Sequence, residues 1–154
     1  MAMDTRGEGR KSDMTPDLHD TDFAEWSDRT AALLRQGRFE EVDIENAAEE
    51  IESLGISQRH QLRSRTTQII EHLLKLHLTS GPLREPNERG WRASISRQQG
   101  EISELLETSR SLRTRLTAVT MQEWYKSAAR TVATEYAVVP PAECPFAWEQ
   151  ILGA

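Results

Sequence analysis

Apolar side chains recur at alternating intervals of four and three residues along much of this chain. The two clearest runs are Leu62, Thr66, Ile69, Leu73 and Leu76, and Trp91, Ile95, Gln98, Ile102 and Leu105. This spacing places one apolar stripe on an α-helix and is typical of helices that pack side by side. No stretch shows the alternation of a β-strand. The sequence therefore predicts an all-α fold, a helical bundle of about five helices with a short C-terminal helix.

The helix boundaries follow from capping residues, glycines and prolines. Asp22 with Glu25 resembles a capping box, and Gly37 suits the left-handed position that ends a helix. Gly55 is expected to break the chain between a second and a third helix. The predicted helices span about residues 22–36, 43–54, 57–78, 88–107 and 111–136, followed by 146–152. Residues 1–20 are predicted to form a disordered tail and residues 21–154 a single domain.

The second predicted helix is strongly acidic. Seven acidic residues and no basic residue lie between Glu40 and Glu52. The apolar residues of this segment keep helical spacing and are predicted to form its buried stripe. They are Ile44, Ala47, Ala48, Ile51 and Leu54.

Charge and composition exclude several classes of protein. A net charge of -6 disfavours nucleic-acid binding, which needs a basic surface. No apolar run approaches the roughly 18 residues that cross a membrane, and residues 1–20 lack the apolar centre of a secretory signal. The single Cys144 excludes an internal disulfide framework. We therefore expect a cytoplasmic protein without membrane contact, and no cofactor motif is present.

Several blocks together resemble a bacterial family known as domain of unknown function 29. They are the Asp20–Trp26 block, the Gly37–Gly55 block, His72–Leu76, Trp91-Arg92 with Arg97, Ser111-Leu112, and Cys144-Pro145 with its short helix. Their order and spacing cover nearly the whole chain from about Asp20 to Leu152. The resemblance implies a small all-helical bacterial protein and implies no reaction.

A first candidate site lies between the second and third predicted helices. Asp43 and Glu50 flank the apolar face of one helix, and His72 and Lys75 belong to the next. Carboxylates and an imidazole meeting inside a bundle could hold a metal ion or move a proton. However, the chain lacks the Glu-x-x-His pattern of di-metal bundles. The alternative is that these carboxylates pair with arginines of neighbouring helices.

A second candidate site is a group of arginines that could bind an anion. Arg92, Arg97 and Arg113 lie around the turn between the fourth and fifth predicted helices. The N-terminus of the fifth helix would also attract negative charge. Interleaved glutamates favour the alternative of a solvated, mixed-charge surface.

Four tryptophans mark packing positions. Trp26, Trp91 and Trp124 fall on or beside apolar stripes and are predicted to be core residues. Trp148 is predicted to dock the terminal helix, with an exposed anchor for a partner as the alternative.

These features favour a non-enzymatic protein-interaction module that binds a protein partner or a second copy of itself. One alternative is a metal-dependent or acid/base enzyme that uses the cluster of Asp43, Glu50 and His72. Another is a binder of anionic ligands or nucleic acid through its arginines. The feature that distinguishes the first hypothesis is an apolar patch left exposed after the helices pack.

Overall fold

The structure, a computed structural model, describes residues 17–154. Residues 1–16, which make up most of the predicted tail, lie outside the described residues. The predicted all-α fold is confirmed, since residues 17–154 contain no β-strand. The α-helices of this part of the chain are α1 (Leu18–Thr21), α2 (Phe23–Arg35), α3 (Ile44–Leu78), α4 (Glu88–Thr108), α5 (Ala118–Tyr136) and α6 (Trp148–Leu152). None of these helices is long and apolar enough to cross a membrane.

The chain divides into two compact units. The first ends at Ser53 and the second comprises Leu54–Ala154, so the division falls within α3. The prediction of a single domain from residue 21 onward stays a prediction.

In the first unit, aspartates begin the two short helices. Asp17 is the N-cap of α1 and accepts a hydrogen bond from the backbone N–H of His19. α1 therefore begins inside the segment that was predicted to be a disordered tail. Asp22 accepts one from the backbone N–H of Glu25, 3.0 Å away, as the sequence predicted. After α2 the chain turns at Gly37, whose φ of 71° is the left-handed conformation that favours glycine.

The predicted break at Gly55 is wrong, because α3 runs without interruption from Ile44 to Leu78. A glycine inside a helix costs only about 1 kcal/mol relative to alanine. Strong helix formers on both sides can offset that cost, so Gly55 stays helical. The second and third predicted helices are therefore one helix of 35 residues.

The second unit is a bundle in which α4, α5 and the second part of α3 surround one apolar core. Its most buried members are Leu62, Ile69, Ile70, Leu74, Ile102, Tyr125, Ala128, Val132 and Ile151. A short 3-10 helix, Arg110–Arg115, joins α4 to α5. α5 therefore begins later than predicted, at Ala118, where Thr117 and Thr120 form the N-terminal cap.

The C-terminal segment packs on the bundle through aromatic residues and hydrogen bonds from α4 and α5. The Tyr125 hydroxyl donates to the carbonyl of Pro141 at 2.6 Å. Trp148 packs edge-to-face on Trp124, with ring centroids 6.0 Å apart. The predicted docking role of Trp148 is thus confirmed, as is the burial of Trp26, Trp91 and Trp124.

Candidate functional site

A buried lysine organises the main polar cluster of the second unit. Lys75 is only 7% exposed, and its Nζ lies 2.8 Å from Oε2 of Glu135. The same ammonium lies 5.3 Å from the centre of the Tyr136 ring, which packs edge-to-face against Trp91. We call Glu71, His72, Lys75, Glu135 and Tyr136 the Lys75 cluster.

Burial and nearby charge shift the pKa values of individual residues in this cluster, some upward and some downward. Burial raises the pKa of Glu71 and lowers the pKa of His72, and the positive charge of Lys75 adds to the effect on His72. The hydrogen bond from Lys75 lowers the pKa of Glu135. His72 is thereby favoured in its neutral form, and its buried Nδ1 has no hydrogen-bond partner among the described residues.

Both carboxyl groups of this cluster line surface grooves. Glu71 lines a polar groove of about 490 Å³ in the second unit, whereas neither His72 nor Lys75 lines it. The other residues of the groove are His60, Arg63, Ser64, Thr67, Gln68 and Ser127. The Lys75–Glu135 pair joins α3 to α5, and Glu135 also lines a second groove, with Arg130, Thr131 and Thr134.

Asp43 and Glu50, the other two residues of the predicted cluster, belong to the first unit and have partners there. Asp43 precedes α3, and its carboxylate accepts hydrogen bonds from the backbone and side-chain amide of Asn46. Oε1 of Glu50 lies 2.8 Å from Nε2 of His19. The turn at Gly55 that the metal or acid/base hypothesis assumed is absent from α3.

Among residues 17–154, no group of three or more His, Cys, Asp or Glu side chains could hold a metal ion. His72 and Lys75 meet in the Lys75 cluster, while Asp43 and Glu50 make their contacts in the first unit. A functional role for the predicted cluster stays a prediction.

His19, which was not among the predicted site residues, also makes close contacts in the first unit. Its ring packs edge-to-face on Trp26, with centroids 4.7 Å apart, and also contacts Phe23. The hydrogen bond to Glu50 raises the pKa of His19, and Asp20 acts in the same direction. The available signal was Asp17, a capping residue two positions earlier, which indicates that the tail gives way to a helix before residue 20.

The three arginines of the predicted anion site differ in their surroundings. Arg92 is already paired, since its guanidinium donates to Glu88 one turn earlier on α4. Arg97 lies exposed on α4, and Arg113 lies exposed on the 3-10 helix that follows. The anion-binding hypothesis stays a prediction.

Four of the five residues of the apolar stripe predicted to be buried at the start of α3 are exposed, and the fifth, Ala47, is half-buried. Ile44 is 57% exposed and Ile51 68% exposed, and Leu54, the first residue of the second unit, is also 68% exposed. The prediction of burial was wrong because periodicity identifies the apolar face of a helix without identifying what covers it. We call Ile44, Ala48 and Ile51, with Glu45 and Glu52 beside them, the open face of α3.

The carboxylates of the acidic segment differ in their contacts. Three of them have close partners in the first unit: Glu41 pairs with Arg38, Asp43 with Asn46, and Glu50 with His19. Glu45, Glu49 and Glu52 make no ion pair with any residue between 17 and 154. Negative charge therefore remains next to the exposed isoleucines.

Comparison with known proteins places the chain in a family. The model of the family described as Domain of unknown function DUF29 matches residues 18–154, which confirms the resemblance seen in the sequence. No curated protein and no solved structure shows significant similarity to the chain. The match covers almost every described residue, and the chain therefore belongs to the DUF29 family.

Proposed function

We propose that this protein is a non-enzymatic protein-interaction module and that the open face of α3 receives the partner. The observation that carries the proposal is the exposure of Ile44 and Ile51, two large apolar side chains on one side of a helix. A single exposed apolar residue is ordinary, whereas aligned exposed residues with polar neighbours are typical of a binding surface.

The helical pattern supports this proposal over a loosely packed helix end. Ile44, Ala48 and Ile51 are separated by four and three residues, so their side chains lie within about 60° of one another around the helix axis. Amphipathic helices recognise partners through such rows of side chains. Covering both isoleucines would remove apolar surface from water, which is favourable by about 25 cal/mol per Å².

The proposal also places the module in the cytoplasm of a bacterium. A lone Cys144 suits a compartment that keeps thiols reduced, and the family resemblance points to a bacterial source. Fractionation of source cells, followed by immunoblotting for this chain, tests the location: we expect the protein in the cytoplasmic fraction.

A capture experiment tests the interaction. The tagged full-length protein is used to isolate proteins from a lysate of its source, with and without nuclease. A doubly substituted variant, Ile44→Gln with Ile51→Gln, is compared with the control Ser53→Gln, which changes an exposed residue about 180° from Ile44 on the same helix.

We expect a stoichiometric protein that survives nuclease and is captured by the wild type and by Ser53→Gln. The doubly substituted variant should lose it while keeping its thermal unfolding temperature. A partner retained equally by all three forms would contradict a role for the open face. Loss of the partner on nuclease treatment would instead favour a nucleic-acid bridge.

A further inference from the structure

We propose that the partner presents a basic amphipathic helix to the open face of α3. This inference rests on the proposed function and adds the chemistry of the partner. It is carried by the combination of an apolar row and uncompensated negative charge along one edge of that row.

The apolar row has the dimensions of a helix-binding surface. Ile44 and Ile51 are seven residues apart, which is two turns of a helix, and exposed Ala48 lies between them. The small side chain of Ala48 lets the backbone of a second helix approach, while the isoleucines provide contacts on either side. A helix with leucines or isoleucines spaced by three and four residues matches this pattern.

The charges beside the row are unevenly distributed. With about 100° per residue, Glu52 and Glu45 lie about 80° and 100° from Ile44 on one edge of the row. On the other edge, the Glu50 carboxylate is paired with His19 at 2.8 Å, and the Asp43 carboxylate accepts hydrogen bonds from the amides of Asn46. The unpaired edge therefore requires a partner with lysine or arginine next to its apolar residues, as in coiled coils whose flanking charges select the partner.

The same charges disfavour the other possible occupants. A second copy related by a two-fold axis would bring its own Glu45 and Glu52 to this surface, and like charges repel. Anionic lipids and nucleic acid would meet the same repulsion. A basic helix gains attraction from these carboxylates without adding a new repulsion.

Defined peptides test the partner chemistry directly. The probe is a helical peptide of about three heptads with leucines in one stripe and lysines flanking it. One control peptide has glutamates at the flanking positions, and another keeps the lysines but scatters the leucines. Binding to the full-length protein is measured by fluorescence anisotropy at low and at physiological salt.

We expect the lysine–leucine peptide to bind at least about tenfold more tightly than either control peptide, with affinity falling as salt rises. The double variant Glu45→Gln with Glu52→Gln should weaken binding by about 3- to 20-fold, since exposed ion pairs are individually weak. Glu49→Gln removes the same charge from the same helix farther from the row, about 140° from Ile44, and should leave affinity nearly unchanged.

The outcomes separate this inference from the proposed function. Equal binding of the lysine and glutamate peptides, or equal effects of the Glu49 and the Glu45/Glu52 variants, would overturn the basic-helix partner. If a captured partner still depends on Ile44 and Ile51 in that case, the interaction module stands with a partner of different chemistry. If no capture depends on these isoleucines either, both proposals fall.

Discussion

The two parts of α3 have similar apolar patterns and different surroundings. In the second unit, Leu62, Ile69, Ile70 and Leu74 are all at most 1% exposed and belong to the core with α4 and α5. In the first unit, Ile44 and Ile51 have helical spacing as well, yet more than half of each side chain faces water. The difference shows that periodicity specifies a helix and its apolar face, while the neighbouring helices decide whether that face becomes core or a surface available for binding.

Replacing one isoleucine by alanine in each part of α3 should give the largest difference. The buried residue should affect the free energy of unfolding strongly, and the open-face residue should hardly affect it. Ile70→Ala removes a fully buried side chain and should lower the free energy of unfolding by about 2–5 kcal/mol. Ile51→Ala changes an exposed position and should change it by no more than about 0.5 kcal/mol. Urea unfolding followed by circular dichroism measures both values, and similar losses for the two variants would remove the distinction between core and open face.

Neutralising one carboxylate in each of the two units should have the next largest effect on stability. Glu135→Gln leaves the buried ammonium of Lys75 without its ion pair and should destabilise the protein by about 1–3 kcal/mol, because Glu135 is itself partly solvated. Glu52→Gln removes an exposed charge without an ion-pair partner among residues 17–154 and should be nearly neutral. Chemical denaturation of both variants in the same buffer checks the comparison; a neutral Glu135→Gln would show that the pair does not stabilise the bundle.

Replacing the glycine in α3 should stabilise the protein slightly. Gly55→Ala adds a Cβ whose nearest contact outside the local helix backbone is the Arg59 guanidinium at 3.5 Å, an ordinary van der Waals distance. Alanine is the better helix former, so the free energy of unfolding should rise by up to about 1 kcal/mol. Thermal unfolding measures the change. Destabilisation would instead indicate the turn that the sequence alone predicted at Gly55.

The contributions of His19 and His72 to stability should depend on pH with opposite signs. The pKa of His19 is raised by Glu50, so its contribution to stability is present below about pH 6.5 and is lost as pH rises through its folded-state pKa. The pKa of His72 is lowered by burial and by Lys75, although Glu135 opposes this, so its neutral form contributes stability that is lost as pH falls below about 6.5.

Histidine titration by NMR checks these directions in the folded protein. We expect the pKa of His19 above and that of His72 below the ordinary histidine value, and Glu50→Gln should return the His19 value toward normal without moving His72. A value for His19 that is unchanged by Glu50→Gln would contradict the hydrogen bond as the cause.

Local sequence signals predicted several features correctly. They failed at Gly55, where neighbouring residues give the opposite signal, and at Lys75, where a residue distant in the sequence determines the contact. Asp22 and Gly37 act within a few residues of chain, so their capping and turning roles could be recognised from spacing alone. Gly55 carries a local signal for a break, but the residues around it favour continued helix. For Lys75, no signal in its own helix indicates Glu135, because that partner comes from α5, 60 residues later in the sequence.

The candidate interaction surface shows the same limit. The sequence identified Ile44 and Ile51 as members of one helical stripe, and that assignment holds. Their exposure shows that no helix among residues 17–53 covers them, which no pattern at these positions could reveal. A stripe that no described element of the chain covers is then the place where a second molecule is expected.

Site-specific photocrosslinking tests directly whether the open face of α3 is the surface that binds a partner. A photoreactive phenylalanine analogue replaces Ile51 in the full-length protein, and a second form carries it at Ser53, on the opposite side of the helix. Both are irradiated in lysate of the source, and the crosslinked species are identified by mass spectrometry. We expect one discrete adduct at position 51, with a protein that bears a basic amphipathic helix, and no adduct at position 53. Equal labelling at the two positions, or no adduct at position 51, would contradict the assignment of this face as the binding surface.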